Sequence, residues 1–207
     1  MATADTDVTI CSAALQLLGE NTITSFADGT TQASICSQLY PDTRDQVLTL
    51  YPWSFSLKKV DLQRSSTSPV NEWNYAYPMP SDSLTLVPRA VFNSSAVGAG
   101  SITGGWEIYD SEIQTDQAAI TIDYQARPLE AEMPTYFIRL LTYVMAMHLA
   151  EPVTDQLTKA LHWERLAFGN PVDGGRGGYF RQAAGIDGMG SGTSFIQDFP
   201  LVDVRTG

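Results

Sequence analysis

The residues that could do chemistry are few and spread along the chain. Glu130 and Glu132 stand two apart before a helical stretch. On an extended chain such neighbours share a side, which is how a glycosidase pair of carboxylates begins. No second feature of a sugar site accompanies them, and solvated loop acids account for them. His148 and His162 are the only histidines. Zinc needs at least three protein ligands and usually a close local pair, so these two read as helix-packing or surface residues. Cys11 and Cys36 lie in apolar segments without a Cys-x-x-Cys spacing, as expected of reduced, buried thiols.

The glycine-rich stretches also fail as phosphate loops. In Gly98-Ala-Gly100-Ser-Ile-Thr-Gly104-Gly105 the third glycine comes one place late and no helical pattern follows to receive the charge. It reads as a long flexible excursion between strands. Gly185-Ile-Asp-Gly188-Met-Gly190-Ser-Gly192 lacks the Lys-Ser or Lys-Thr of a nucleotide-binding loop. No Gly-x-Ser-x-Gly elbow occurs. The expectation is a chain with no catalytic residue, cofactor or metal.

Composition points to a folded body. Hydrophobic residues make up 43% of the 207 and charged residues 17%, an ordinary globular balance. The net charge of −11, with scattered Lys and Arg, disfavours tight nucleic-acid binding, though a negative wall would let DNA pass without sticking. No apolar run suits a membrane span and the start is acidic, so neither export nor membrane insertion is expected.

Spacing predicts the elements that carry these residues. Asp7–Leu18 has helical periodicity with Asp5, Thr6 or Asp7 as a cap and Gly19 as a stop. Thr31–Leu50 repeats it, with a kink or break expected near Leu39 because of Pro41. Trp73–Tyr77, Leu84–Val87, Ala90–Phe92, Trp106–Tyr109, Glu112–Thr115 and Ala119–Ala126 read as strands. Asp110-Ser111 makes a hairpin-length connection, and Ile120, Ile122 and Tyr124 should bury one face. Helical spacing returns over Thr135–Ala150, where Pro152 ends or restarts it, and over Val153–Ala167, closed by Gly169-Asn-Pro. From Asn170 to Gly207 nine glycines break any period, although Tyr179, Phe180, Phe195 and Phe199 suit an arm ordered by a partner. The organisation expected is therefore α+β: a four-helix bundle of N- and C-terminal helix pairs (1–57 and 129–169), an inserted antiparallel β domain (58–128) and an extended C-terminal arm (170–207).

Several pieces together carry a resemblance. They are Ile10-Cys-Ser-Ala-Ala-Leu-Gln-Leu-Leu-Gly19, Ile23-Thr-Ser-Phe26-Ala-Asp28-Gly29, Tyr40-Pro-Asp-Thr-Arg44-Asp45 and Tyr51-Pro52-Trp53-Ser-Phe55. Tyr75-Ala-Tyr77-Pro-Met-Pro80, a Trp-containing hairpin, Ile122-Asp-Tyr124-Gln-Ala-Arg127 and Leu149-Ala150-Glu-Pro-Val-Thr154 follow in order. Over about residues 8–168 the chain resembles the tail tubular protein A family, the head-to-tail connector or adaptor of short-tailed phages. The Ser95–Gly105 excursion and the glycine-rich arm stand outside that pattern.

The resemblance implies a structural virion protein, made in the host cytoplasm, that joins portal to tail nozzle as a dodecameric ring around the DNA ejection channel. Its implied partners are copies of itself, the portal and the nozzle protein, with tail fibres as further candidate neighbours and DNA only as passing cargo. Tyr179, Phe180, Phe195 and Phe199 are the expected anchors on portal or a neighbouring subunit. A neck or head-completion protein of a long-tailed phage, and a tail module that binds or hydrolyses receptor glycans, are the alternatives.

Overall fold

The computed structural model describes residues 6–96, 99–170, 172 and 177–190. Among these the fold is α+β, with five α-helices and two antiparallel sheets. The helices are α1 (Asp7–Leu18), α2 (Thr31–Thr49), α3 (Thr135–Thr154), α4 (Leu157–Phe168) and α5 (Tyr179–Gly188). The strands are β1 (Leu57–Asp61), β2 (Tyr75–Pro78), β3 (Ala90–Phe92), β4 (Ser101–Ile102), β5 (Trp106–Tyr109), β6 (Glu112–Thr115) and β7 (Thr121–Gln125).

The apolar stripe of α3 is wide enough to serve every other helix. Phe137, Leu140, Leu141, Val144, Met145 and Leu149 are all buried, and α1, α2, α4 and α5 each pack on α3. Thr6 caps α1 by accepting from Thr9 N–H, and Gly19 ends it at φ +80°, a conformation that only glycine adopts without strain. Of the kink or break expected near Leu39, the break does not occur. Helix α2 runs through Pro41, because this residue and Ser37 lie on the exposed side and water can solvate the carbonyl that proline leaves unpaired. Pro152 is likewise accommodated inside α3, which ends instead at Asp155 in the left-handed region.

Two sheets face each other across a second core of Tyr77, Val91, Ile113, Ile120, Ile122, Tyr124 and Ala126. One has the order β1-β7-β3-β4, the other β2-β6-β5. Strand β7 pairs Leu57↔Gln125 through Asp61↔Thr121 on one side and Ala90↔Asp123 through Phe92↔Thr121 on the other. The expected burial of Ile120, Ile122 and Tyr124 is observed. The β5–β6 hairpin turns through Asp110 and Ser111 at φ 48° and 65°, the double left-handed geometry that matches strand twist.

The predicted strand Leu84–Val87 is absent. Leu84 N–H donates to Gln125 O at 2.8 Å, but Ser83 Oγ then donates to Thr85 O and Thr85 Oγ1 to Val87 O, so local hydroxyl bonds take carbonyls that a continued ladder would use. Residues 73–74 stay outside β2 for a similar reason, since Asn71 and Asp116 side chains accept their N–H groups. Strand β1 was not anticipated, because Lys58 and Lys59 give it a polar face. Part of the Ser95–Gly105 excursion returns to the sheet as β4, pairing Val91↔Ile102.

The largest departure is α5. An extended arm was expected from residue 170, yet Tyr179–Gly188 is a helix packed on α3 and α4. Glycine is unfavourable in a helix interior, so the bonds to the body described below stabilise this one.

Candidate functional site

The seam between helices and sheets is built from the end of α2. A helix C-terminus leaves its last carbonyls without intrahelical donors, and Pro52 has no N–H to offer Leu48 O. Two side chains from elsewhere fill the gap. Trp53 Nε1 donates to Val47 O at 3.1 Å, and Gln125 Nε2 donates to Leu48 O at 2.7 Å. Gln125 Nε2 also reaches Tyr51 O at 3.0 Å and Ser56 Oγ at 3.1 Å. Strand β7 is thereby fixed to the helical body by one buried amide.

Trp53 is fully buried at the centre of an aromatic group. Phe137 meets it edge-on at 5.1 Å, Tyr51 at 5.0 Å and Phe180 at 6.1 Å, and Phe55 packs against Phe137 at 5.0 Å. Such edge-to-face pairs add about 0.5–1.5 kcal/mol each beyond area burial. Asp187 of α5 closes this group. It is 5% exposed and accepts from Ser54 N–H at 2.9 Å, Ser54 Oγ at 2.7 Å and Tyr136 Oη at 2.6 Å. Burial, reinforced by the bond to Asp187, pushes the Tyr136 phenol up to about 12.

A second, charged clasp lies on the same seam. Arg127, just after β7, donates from Nε to Asp45 Oδ1 at 3.0 Å and from Nη2 to Oδ2 at 2.7 Å, and Arg44 Nε donates to Asp45 Oδ1 at 2.9 Å. Glu130 accepts from Arg44 Nη1 at 3.2 Å and from Tyr40 Oη at 3.1 Å. Burial opposes charge on Asp45, but the hydrogen bonds from Arg127 and Arg44 outweigh it and hold the carboxyl below its usual range. Burial and the neighbouring Glu130 push the Tyr40 phenol up, so it stays a donor.

Six of the residues that carry the resemblance occupy this seam, and three lie in the turn before α2. Tyr40, Arg44 and Asp45 form the clasp; Pro52, Trp53 and Phe55 form the plug. Phe26 packs on the helical core, while Asp28 shapes its own turn by accepting from Thr24 N–H at 2.7 Å and Ser25 N–H at 3.1 Å, followed by Gly29 at φ +72°. Of the expected anchors, Tyr179 packs on Tyr143 at 5.6 Å and Phe180 on Trp53, so both face the body. Phe195 and Phe199 lie outside the described residues.

The other candidate groups are engaged separately. Glu132 Oε2 accepts from Leu129 N–H at 3.2 Å, whereas Glu130 belongs to the clasp, so the two acids serve different partners. His148 on α3 is half-buried with Nε2 unpaired among the described residues, and burial pushes its pKa down. His162 on α4 is exposed. Cys11 and Cys36 are free and buried, and the bond to Cys36 with burial pushes the Cys11 thiol up, away from thiolate chemistry. Among the described residues no three His, Cys, Asp or Glu side chains converge as a metal site, and no helix is long and apolar enough to cross a membrane.

Sequence reasoning passed over Gln125 and Asp187. Pro52 was a usable signal for the first, since a proline four residues after Leu48 requires a donor from elsewhere. Nothing local marks the second. No family model matches this chain, and a search of curated proteins finds no match either.

Proposed function

We propose that the chain is a structural ring subunit of a phage particle, the adaptor that joins portal to tail nozzle and lines part of the DNA ejection channel. One observation carries the reading. Tyr40, Arg44, Asp45, Trp53, Gln125 and Arg127, all among the residues of the resemblance, meet at one seam and tie a sheet unit to a helical body. A joint that transmits load between two assemblies needs such ties.

Two further features support it. Ring closure uses heterologous contacts, one face of a subunit against a different face of the next. Leu157 and Leu161 are 60% and 43% exposed one turn apart on α4, and Leu86 and Val87 are 52% and 63% exposed beside the sheets. These two apolar surfaces belong to different elements, as such a contact requires. The charge of −11 suits a conduit that DNA passes without adhering.

In this reading helices α1–α4 act as the bundle of a dodecameric ring. Of the arm expected over 170–207, Phe195 and Phe199 remain as the proposed anchors on portal or a neighbouring subunit. A glycan-hydrolysing module is the weaker reading, since Glu130 is spent on Tyr40 and Arg44. Mass photometry of the chain with and without the portal protein of the same phage tests the proposal. Portal-dependent ring-sized species are expected and should disappear in Leu157→Lys/Leu161→Lys; a chain that stays monomeric beside assembled portal refutes it.

A further inference from the structure

The sheet unit carries a polar cavity that the seam does not use. It encloses about 220 Å³ between the chain that follows β1 and the start of β2, and its wall includes Arg64, Ser66, Thr67, Ser68, Asn74 and Tyr75. No carboxylate lines it, in a chain with 23 Asp and Glu.

The wall is held in place by the protein itself. The Arg64 guanidinium lies 4.9 Å from the centre of the Tyr75 ring, and Tyr75 is fixed in turn by its pairing with Thr115 in the sheet. Stacking of this kind orients the guanidinium plane and leaves its N–H edge open, and Arg64 makes no ion pair among the described residues. The hydroxyl-bearing loop is tied to β2 where Ser65 N–H donates to Ala76 O at 2.8 Å. Asn74 donates to Asp116 Oδ1 from its backbone N–H at 3.1 Å and from Nδ2 at 2.7 Å, which holds the side chain and leaves its oxygen as an acceptor. Ser66, Thr67 and Ser68 are exposed, and each hydroxyl can donate or accept.

These groups select a ligand by charge and by shape. One planar guanidinium matches one carboxylate through two parallel hydrogen bonds. A phosphate dianion calls for more than one cation, the more so in the field of a chain of net charge −11. The uncharged remainder of the wall, hydroxyls and an amide, suits a ligand that is itself hydroxylated.

We infer that this cavity binds a sugar acid, a uronic-acid unit whose carboxylate meets Arg64 and whose ring hydroxyls meet Ser66, Thr67, Ser68 and Asn74. Without a carboxylate in the wall the cavity holds such a sugar and does not cleave it. The inference stands whether or not the ring reading does.

The test follows the amide resonances of Ser66, Thr67 and Asn74 in the full-length, isotope-labelled chain during titration with methyl glucuronide, methyl glucoside, acetate or inorganic phosphate. Saturable shifts are expected with the glucuronide, with a Kd on the order of 1 mM for one charged contact and a few neutral ones. The glucoside lacks the charge and acetate lacks the hydroxyls, so these two and phosphate should bind about tenfold more weakly or not at all. Arg64→Gln should weaken the glucuronide about tenfold; Arg64 is exposed, and unchanged resonances in the helical body will show that the variant is folded. No saturable shift with the glucuronide, comparable affinity for any of the other three, or an affinity indifferent to Arg64→Gln each overturns the inference.

Discussion

Replacing Gln125 by Leu isolates the contribution of the seam, because the substitution roughly conserves volume and removes only polar contacts. Gln125 is 8% exposed and donates to three acceptors. Two of them keep other bonds: Tyr51 O retains Trp53 N–H at 2.9 Å, and Ser56 Oγ still donates to Trp53 O at 2.7 Å. Leu48 O does not, since Pro52 cannot supply a donor. One buried carbonyl left unpaired costs about 1–3 kcal/mol, and the weaker losses at the other two acceptors bring the expected total to about 2–3 kcal/mol. For a chain of this length each kcal/mol lowers Tm by about 2–4 °C, so a fall of roughly 5–10 °C follows. Urea unfolding read by tryptophan fluorescence and by far-UV circular dichroism measures it, with an unchanged m-value showing that stability rather than compactness moved. A Gln125→Leu variant within about 0.5 kcal/mol of the parent would refute the reasoning, because the amide would then not be satisfying a buried acceptor.

Three further outcomes are expected. Ser111→Gly should stabilise the fold by about 0.5–1 kcal/mol, since both turn residues hold positive φ and glycine does so without strain; a loss in the urea midpoint would contradict this turn geometry. Asp45 has a depressed folded pKa, so its contribution is present above the ordinary value of 3.8 and lost as pH falls through the folded value. Asp45→Asn should therefore flatten the acid limb of the stability profile, and an unchanged limb would discount the clasp. The Tyr136 resonance, followed by carbon NMR of labelled tyrosine, should titrate near 12 and move downward in Asp187→Asn as the carboxylate charge is removed; a static value would show that burial alone sets it.

Features governed by local physics were legible in the sequence. Helix α1 declares itself by periodicity, its Thr6 cap and its Gly19 stop, and the β5–β6 hairpin by a two-residue gap between alternating strands. What was illegible depended on groups distant in the chain. Whether Pro41 breaks α2 is decided by which side of the helix faces water. Whether Tyr179–Gly188 is a helix is decided by Asp187 finding Ser54, 133 residues away. The candidate site divides the same way: its residue types were visible as a pattern, but their shared purpose at the end of α2 required Gln125 and Arg127 to arrive from β7. Strand β1 was hidden by its lysines, one of which, Lys59, lies over the Phe92 ring at 3.5 Å.

The pairing of Leu57 with Gln125 has a topological consequence. Paired strands lie about 4.7–4.9 Å apart, so the chain leaves the helical body and re-enters it at almost the same point. To the helices, most of the chain between those residues is a single short bridge, whatever its length, and Leu84 is the part of it that packs on the helical core. The sheet unit can therefore lengthen, shrink or be exchanged for another without moving either helical terminus, provided that the residue at 125 still presents an amide to the end of α2. Variation among chains of this fold should concentrate inside that bridge, and its two abutments should stay fixed.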